Sequence, residues 1–409
     1  MSPAPSLTFR AVTFRAAGWL AFGSAASIVF SIAVSQILLG ASLAALLISR
    51  ERLRLPAIQW PLALFLFGTL LAWIFSGHLA AGMPQIKKIY VFAELLVVFS
   101  SLRNAKWIRW LFLVWAGIAA LTAVWGCVQF AGKIREAHAL GLSFFSNDFY
   151  QFYVAERIKG FTSHWNTFSA EEMFALIMLA AFLLFARAPR TWIWLKAACA
   201  FLIALAVLLA ETRGVWFATA AAGFYLLWVW KRKLLLLAPV AIALAVVASP
   251  PAIRERFESI LRPKEVDSNQ FRIVRMIEAH PWLGLGPEQP HIQFQKWLPS
   301  DIRPPLPPGY YGHLHNVYLQ YAAERGIPTT LVMLWLLIQI MVNFRRGLRA
   351  LPPGRDDRRF LLHGGIAVVL AVLAEGFVEY NLGDSEVLTM FLVVTACGYL
   401  ALEKDVAWS

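Results

Sequence analysis

Long apolar runs recur from one end of the chain to the other, and they limit its possible folds more than any other feature. Each run is roughly 17 to 25 residues long, which is enough for an α-helix to cross about 30 Å of hydrocarbon. Of the 409 residues, 59% are hydrophobic and only 15% are charged, far from the averages of soluble domains. Because a single anchor needs only one such run, the pattern predicts an all-α, polytopic membrane protein.

We predict about twelve transmembrane helices within a single membrane domain that covers residues 1–409. The first apolar run is followed at once by another, with no small-residue cleavage site between them, which favours a retained span over a secretory signal. The three cysteines lie inside apolar runs, where thiols usually pack as small hydrophobic groups. The predicted spans lie near residues 16–32, 35–49, 58–75, 88–101, 108–130, 166–186, 191–211, 214–230, 234–250, 327–344, 360–379 and 386–402.

Basic residues set the predicted orientation, because short cytoplasmic loops carry an excess of Lys and Arg. If the N-terminus is cytoplasmic, every short inner loop is basic, and the first of them holds Arg50, Arg52 and Arg54. Two longer outer loops, at about 131–165 and 251–314, fall outside this rule since long segments cross regardless of charge. An even number of spans then places both termini in the cytoplasm. The net charge of +13 largely reflects this orientation signal, which argues against nucleic-acid binding.

The polar residues collect on the outer side, where this topology places seven of the eight histidines. The segment 251–326 is the one substantial extramembrane region, and its prolines (RPPLPPG, 303–309) favour a folded cap over a disordered tether. We expect this cap to contain the catalytic region. It ends in a mixed polar and apolar stretch at 315–325, which is typical of an interfacial helix. Gly326 is suited to stop that helix, and Pro328 to begin the next span.

His315 lies at the start of the predicted interfacial helix. A histidine at a helix N-terminus feels the positive end of the helix dipole, which favours the neutral imidazole. Because neutral imidazole accepts a proton, His315 is a candidate general base. On spacing alone, an equally good interpretation is that His313 and His315 are interfacial histidines with ordinary hydrogen bonds.

Three arginines are candidates for binding an anionic group. Arg213, in LAETRGVW (209–216), interrupts a long apolar stretch, so it either extends to lipid headgroups or faces a cavity with an anionic partner. Arg272 and Arg275 are spaced i, i+3, so a helix would present both on one face. Planar, permanently charged groups suit phosphate or pyrophosphate. The alternative for this pair is a solvated loop face or a salt bridge to Glu278.

Taken in order, these motifs resemble the O-antigen ligase and polymerase family of bacterial membrane glycosyltransferases. The motifs are ETRGVW, then R-x-x-R leading into HPWLGLGP, then His315 and Asn316 followed by nine residues and Gly326. They spread over residues 200–345, and twelve spans with one large outer loop between helices 9 and 10 extend the resemblance to nearly the whole chain. The histidine-and-glycine pattern and the lack of a soluble C-terminal domain most resemble the ligase. This resemblance implies a GT-C-like fold.

The resemblance also implies an activity: inverting, metal-independent transfer of O-antigen polysaccharide from undecaprenyl pyrophosphate to lipid A–core. The reaction would take place on the periplasmic face of the bacterial inner membrane. His315 would take the proton from the acceptor hydroxyl, while Arg213 and Arg272 would stabilise the pyrophosphate as it leaves. The further substrate-binding candidates are Arg275, His313 and Asn316. The stretch from Arg272 to Pro281 is shorter than the family pattern, which leaves open which arginine of the pair is the functional one.

Other functions stay open. A polymerase would lengthen the lipid-linked chain itself, and a protein O-oligosaccharyltransferase would use the same donor with a protein acceptor. A transporter or flippase of lipid-linked glycans predicts charges along several spans and an internal inverted repeat, and the sequence shows neither clearly. Four histidines share one loop, but their irregular spacing is only a weak zinc signal, so no metal or other cofactor is expected. These histidines are His280, His291, His313 and His315.

Overall fold

The computed structural model describes residues 7–144, 146–187, 191–237, 268–298, 315–406 and 408. Within these ranges all regular secondary structure is helical, which confirms the predicted all-α class. The α-helices, numbered in chain order, are α1 (Leu7–Ser27), α2 (Ile32–Ser49), α3 (Gln59–Phe75), α4 (Leu79–Lys87), α5 (Ala93–Ser101), α6 (Ala105–Ala139), α7 (Asn147–Ala155), α8 (Trp165–Phe185), α9 (Ile193–Leu209), α10 (Arg213–Lys231), α11 (Ser268–Ala279), α12 (Gln289–Ile292), α13 (Val317–Ala350), α14 (Asp357–Glu375) and α15 (Ser385–Leu400).

Several of these helices have the length and composition of membrane spans. Among the described residues, α2, α6, α8 and α13 are long and apolar enough to cross a bilayer, while α3, α9 and α15 are apolar but shorter. Helices α8 and α10 coincide with the predicted spans near 166–186 and 214–230. Most of the predicted span near 234–250 lies outside the described residues. The structure therefore supports a membrane protein, and the full set of twelve spans remains a prediction.

The predicted span near 88–101 is not one continuous α-helix. A 3-10 segment, Lys88–Phe92, joins α4 to α5, which has only nine residues. Nine α-helical residues cover about 14 Å, less than half of the hydrocarbon core. Hydropathy averages do not distinguish the tighter hydrogen-bonding pattern of a 3-10 segment from that of an α-helix, so the sequence pattern did not reveal this break.

Helices α8, α14 and α15 form the centre of the protein, since most of their side chains are buried. Helix α3 lies at the periphery. Its residues Trp60, Phe67 and Phe75 are exposed, as expected where lipid rather than water covers the surface. Helix α14 packs against α8 and α10, and α3 packs against α13. This arrangement brings the start of α10 close to the end of α14.

Helix α13 is kinked at Gly326, whose backbone is not helical (φ 79°, ψ 164°). The kink lets a carbonyl of the helix accept a hydrogen bond from outside it: the N–H of Leu285 donates to the oxygen of Ala323 (2.8 Å). A Cβ atom at Gly326 would lie 2.1 Å from the carbonyl oxygen of Trp282, so only glycine fits this contact. The HPWLGLGP turn (280–287) is therefore packed directly on the kink.

The part of α13 before the kink, residues 317–325, corresponds in position to the predicted interfacial helix at 315–325. Its polar side chains Gln320, Glu324 and Arg325 are buried, with 1%, 0% and 4% of their surface exposed. They therefore point into the protein rather than toward the surrounding bilayer surface.

Candidate functional site

Asn316 fixes the start of α13 beside His315. Its Oδ1 accepts a hydrogen bond from the N–H of Leu319 (2.9 Å), which caps the helix. Its Nδ2 donates to the carbonyl oxygen of Phe377 (3.1 Å), in the segment that follows α14. Oδ1 and Nδ2 of Asn316 thus both make hydrogen bonds that position the neighbouring His315 beside the segment after α14.

The imidazole of His315 is paired with the carboxylate of Glu379. Nδ1 of His315 lies 2.9 Å from Oε1 of Glu379, and the histidine side chain is 71% exposed. Because a carboxylate accepts hydrogen bonds, this pairing favours a proton on Nδ1 and makes Nε2 the proton-accepting nitrogen. Oε1 also accepts from the N–H of Tyr380 (3.2 Å), which orients the carboxylate. A base held in this way is suited to take a proton from a substrate hydroxyl.

Arg213 lies in the same region because of how α10 packs. It is the first residue of α10, directly after the N-cap residue Thr212. The next residue, Gly214, is so close to the end of α14 that an added Cβ would lie 3.6 Å from Cγ of Glu375 and 3.9 Å from Cβ of Glu379. The start of α10 therefore packs against the segment whose carboxylate binds His315.

Helix α11 lies along the beginning of α13. Ile273 and Met276 on one side of α11 are buried in a cluster with Ala323, whereas Arg275 lies on the exposed side. Helix α11 also includes Arg272. Two predicted site positions fall outside the description, namely the side chain of Arg272 and all of His313.

A polar cavity of about 270 Å³ lies between the start of α8, the end of α14 and the segment before α15. It adjoins the His315–Glu379 pair, since Tyr380 is one of its lining residues. Two buried lining oxygens, Oδ1 of Asn166 and Oε1 of Glu375, have no hydrogen-bond partner among the described residues. Buried acceptors of this kind are costly unless a donor reaches them. The cavity is therefore suited to a ligand with hydroxyl groups.

His164, at the edge of this cavity, caps α8. Its Nδ1 accepts a hydrogen bond from the N–H of Asn166 (3.2 Å), and its ring lies 4.0 Å from that of Trp165. Burial lowers the pKa of His164, although the charge of Glu379 acts in the opposite direction. The cap requires a lone pair on Nδ1, so burial and capping both favour the neutral ring.

Two further residues of the site, Arg157 and Glu379, were not singled out from the sequence. The guanidinium of Arg157 lies 4.9 Å from the ring of Trp165, and its Nη1 donates to the carbonyl oxygen of Glu211 (3.3 Å). Arg157 therefore adds a cation beside the N-terminal end of α10. The available signals were weak: an arginine within a long loop, and an acidic residue at the end of an apolar run.

Comparison with known protein families identifies a match, and it covers the predicted site residues. A family model described as O-antigen ligase matches residues 198–334. No curated protein matches the chain. The matched segment contains Arg213, Arg272, Arg275, His313, His315 and Asn316. The match confirms the predicted resemblance to the O-antigen ligase family over this segment of the chain.

Proposed function

We propose that the protein is an O-antigen ligase, an inverting glycosyltransferase that moves O-antigen polysaccharide from undecaprenyl pyrophosphate to lipid A–core in lipopolysaccharide biosynthesis. The family match supports activity of the ligase or polymerase type. The observation that carries the proposal is the pairing of His315 with Glu379 beside the start of α10, where Arg213 lies. A base together with a permanent positive charge suits glycosyl transfer from a lipid pyrophosphate.

The His315–Glu379 pair provides the base for the reaction. The acceptor hydroxyl gives its proton to Nε2 of His315 while its oxygen forms a bond to the anomeric carbon of the donor. The bond from that carbon to the pyrophosphate oxygen breaks, and undecaprenyl pyrophosphate leaves with the electron pair. Attack from the side opposite the leaving group inverts the configuration. The carboxylate of Glu379 stabilises the imidazolium that forms.

The arginines stabilise the leaving group. Arg213 and Arg272, with Arg275, bind the pyrophosphate through planar guanidinium groups. Because pyrophosphate is already a good leaving group, these cations take the place of a metal ion, and the proposed mechanism needs no metal or other cofactor. His313 contributes a substrate contact, while Asn316 positions the base.

The arrangement in the membrane follows from the sequence prediction. We place twelve spans with a GT-C-like fold in the bacterial inner membrane, both termini in the cytoplasm, and the 251–326 cap on the periplasmic face. The acceptor lipid enters from the outer leaflet. Its sugar reaches the polar cavity beside Glu379, where the buried oxygens of Asn166 and Glu375 accept hydrogen bonds from hydroxyl groups.

Reconstitution of the purified protein tests this function. Vesicles would contain undecaprenyl-pyrophosphate-linked O-antigen and lipid A–core, and the electrophoretic mobility of the acceptor would be measured for the wild type and for His315→Ala, each with and without a chelator. We expect a mobility shift with the wild type that persists in chelator and disappears in the variant.

Each other outcome identifies a different function. A donor that becomes longer while the acceptor is unchanged indicates a polymerase, and a modified protein acceptor indicates a protein O-oligosaccharyltransferase. A glycan lipid that only changes side indicates a transporter. A shift that chelator abolishes would contradict the metal-independent mechanism.

A further inference from the structure

A narrow apolar groove runs along α13, away from the polar cavity. Its other walls come from α3, α5, the 3-10 segment Lys88–Phe92 and α15. Between Arg325 and Ile340, α13 extends about 20 Å, which is more than half of a hydrocarbon core. Apolar residues that line the groove include Leu62, Phe65, Met333, Leu337 and Phe391.

Polar residues meet at the end of the groove nearest the kink in α13. They are Gln85, Lys88 and Arg325. The Nζ of Lys88 donates to the carbonyl oxygen of Gly383 (2.6 Å). Within the described part of the chain, the groove lining includes both cations and no carboxylate. The groove lining thus combines long apolar walls with two cationic side chains at one end, and the carboxylates of Glu288 and Glu324 lie directly behind that end, where Glu288 accepts a hydrogen bond from Nε2 of Gln85 (2.6 Å).

Arg325, at this end of the groove, has buried N–H groups that lack acceptors within the described ranges. Its side chain is only 5% exposed, and its guanidinium lies 3.9 Å from the ring of Tyr321. Nη2 lies 3.6 Å from Oε2 of Glu324. The other two nitrogens, Nε and Nη1, have no hydrogen-bond partner among the described residues. Buried N–H groups on a charged side chain are costly to leave unpaired, so they point to a ligand with anionic acceptors.

We propose that this groove binds the hydrocarbon chain of a phosphate-bearing lipid, with the phosphate oxygens accepting hydrogen bonds from Arg325. The apolar walls bury the chain, and the guanidinium pairs with the head group. A neutral lipid would leave Nε and Nη1 of Arg325 without acceptors, and a soluble phosphate would leave the apolar walls uncovered. The required ligand therefore has both a long chain and a charged head.

The position of the groove identifies this lipid as the donor, an inference that rests on the proposed function. The ring of Tyr321, beneath Arg325, lies 5.6 Å from the ring of Tyr380. Tyr380 lines the polar cavity beside the His315–Glu379 pair. Two aromatic side chains, Tyr321 and Tyr380, thus separate the polar end of the groove from the polar cavity. From the polar end of the groove, the hydrocarbon chain of the donor extends along the groove into the membrane.

Native mass spectrometry of the full-length protein in detergent tests the inference without any requirement for transfer. The three probes are a sugar-free, long-chain polyprenyl pyrophosphate, the uncharged polyprenol and inorganic pyrophosphate. The variants are Arg325→Gln, Arg325→Lys and, as a matched control on the same helix, Arg346→Gln, since Arg346 is exposed and lies outside the groove lining. Thermal unfolding would establish that each variant is folded.

We expect polyprenyl pyrophosphate to bind most tightly to the wild type and about tenfold or more weakly to Arg325→Gln, because charge-assisted hydrogen bonds are lost. Arg325→Lys should bind with intermediate affinity, and Arg346→Gln as the wild type does. Weak polyprenol binding should be the same in all variants. If Arg325→Gln does not fold, Leu337→Trp, which fills the groove, should cause the same loss.

Equal lipid binding by the wild type and Arg325→Gln would overturn the inference. Inorganic pyrophosphate that binds as tightly as the lipid would also overturn it, because this result would indicate a site for soluble anions.

The groove proposal and the ligase proposal predict different failures. Arg325-dependent lipid binding without transfer to lipid A–core would overturn only the ligase function. If the wild type transfers glycan but its lipid binding does not depend on Arg325, only the groove proposal is overturned.

Discussion

At the scale of single residues, the proposed mechanism assigns proton transfer and charge stabilisation to different side chains. His315 is held by Glu379 (2.9 Å) and by the cap at Asn316, while Arg213 begins α10 beside the same segment. A neutral base and a permanent cation need different surroundings, because a nearby positive charge favours the neutral ring and a carboxylate stabilises the charged one. In the proposed mechanism, Glu379 therefore also stabilises His315 once His315 has accepted a proton.

The planar shape of Arg213 should matter as well as its charge. Arg213→Lys keeps the charge but loses the two-pronged contact with phosphate oxygens, so we expect the initial rate of transfer to fall about tenfold, the equivalent of one charge-assisted hydrogen bond. Arg213→Gln should be slower still. Initial rates in reconstituted vesicles would measure both, with Arg135→Lys as a control, since Arg135 is exposed on α6. A wild-type rate for Arg213→Lys would contradict the bidentate role.

His164 should make the fold sensitive to acid. Its pKa is lowered in the folded protein, mainly by burial, so as pH falls through the ordinary histidine value of about 6.5 the unfolded chain takes up the proton first. Stability is then lost toward low pH. Thermal unfolding between pH 7.5 and 5 should show a larger decrease for the wild type than for His164→Asn, which keeps an N-cap without titrating. Parallel pH profiles would contradict this role.

The residues that stand out in an apolar sequence were those that the sequence analysis could find. His315 and Arg213 are polar interruptions of hydrophobic runs, so their types and positions indicated a site. Glu379 and Arg157 could not be assigned from the sequence, because their roles depend on packing between distant segments: Glu379 meets His315 at the start of α13, and Arg157 meets Glu211 at the start of α10.

At the scale of elements, the long apolar runs located most helices but not their internal breaks. The boundaries of α8 and α10 lie within a few residues of the predictions. The 3-10 segment Lys88–Phe92 and the continuation of α6 to Ala139 were missed. Whether a segment forms a 3-10 helix or an α-helix, and where a helix ends, depends on tertiary contacts more than on hydropathy. The stop predicted at Gly326 is a kink within a longer helix, produced by the 280–287 turn that packs against it.

The kink should be intolerant of any side chain. A Cβ in Gly326→Ala would lie 2.1 Å from the oxygen of Trp282, and the residue has φ +79°, so we expect a loss of stability of about 2 kcal/mol or more and loss of transfer. Gly117→Ala is the matched control, because a Cβ at this helical position in α6 would meet nothing within 4 Å. Thermal unfolding and transfer assays would compare them. Equal stability of the two variants would contradict the close contact.

At the scale of the whole molecule, the apolar runs indicated a membrane protein, and the basic loops indicate its orientation. The helices that form the site are not all neighbours in sequence: α8, α10, α13 and α14 contribute, and only α13 and α14 are consecutive. Hydropathy reports which segments enter the membrane but not which of them become neighbours. Their packing could therefore be obtained only from the structure.

The predicted orientation can be measured by cysteine labelling. In a background with the three native cysteines replaced by alanine, we expect Glu136→Cys to react with a membrane-impermeant maleimide in intact spheroplasts. Glu51→Cys should react only after permeabilisation, because the first basic loop is predicted to be cytoplasmic. Both positions are exposed. Labelling of Glu51→Cys in intact spheroplasts would contradict the orientation and place the basic loops on the outer side.

The most direct test of the account is a double-mutant cycle on transfer rate, with His315→Ala, Glu379→Gln and the double variant in the reconstituted assay. If Glu379 acts through His315, the two residues form one unit, and their effects are not additive. We expect His315→Ala to lose about 10²-fold or more, Glu379→Gln to lose less, and the double variant to be no slower than His315→Ala. Losses that multiply in the double variant would contradict the histidine–carboxylate base.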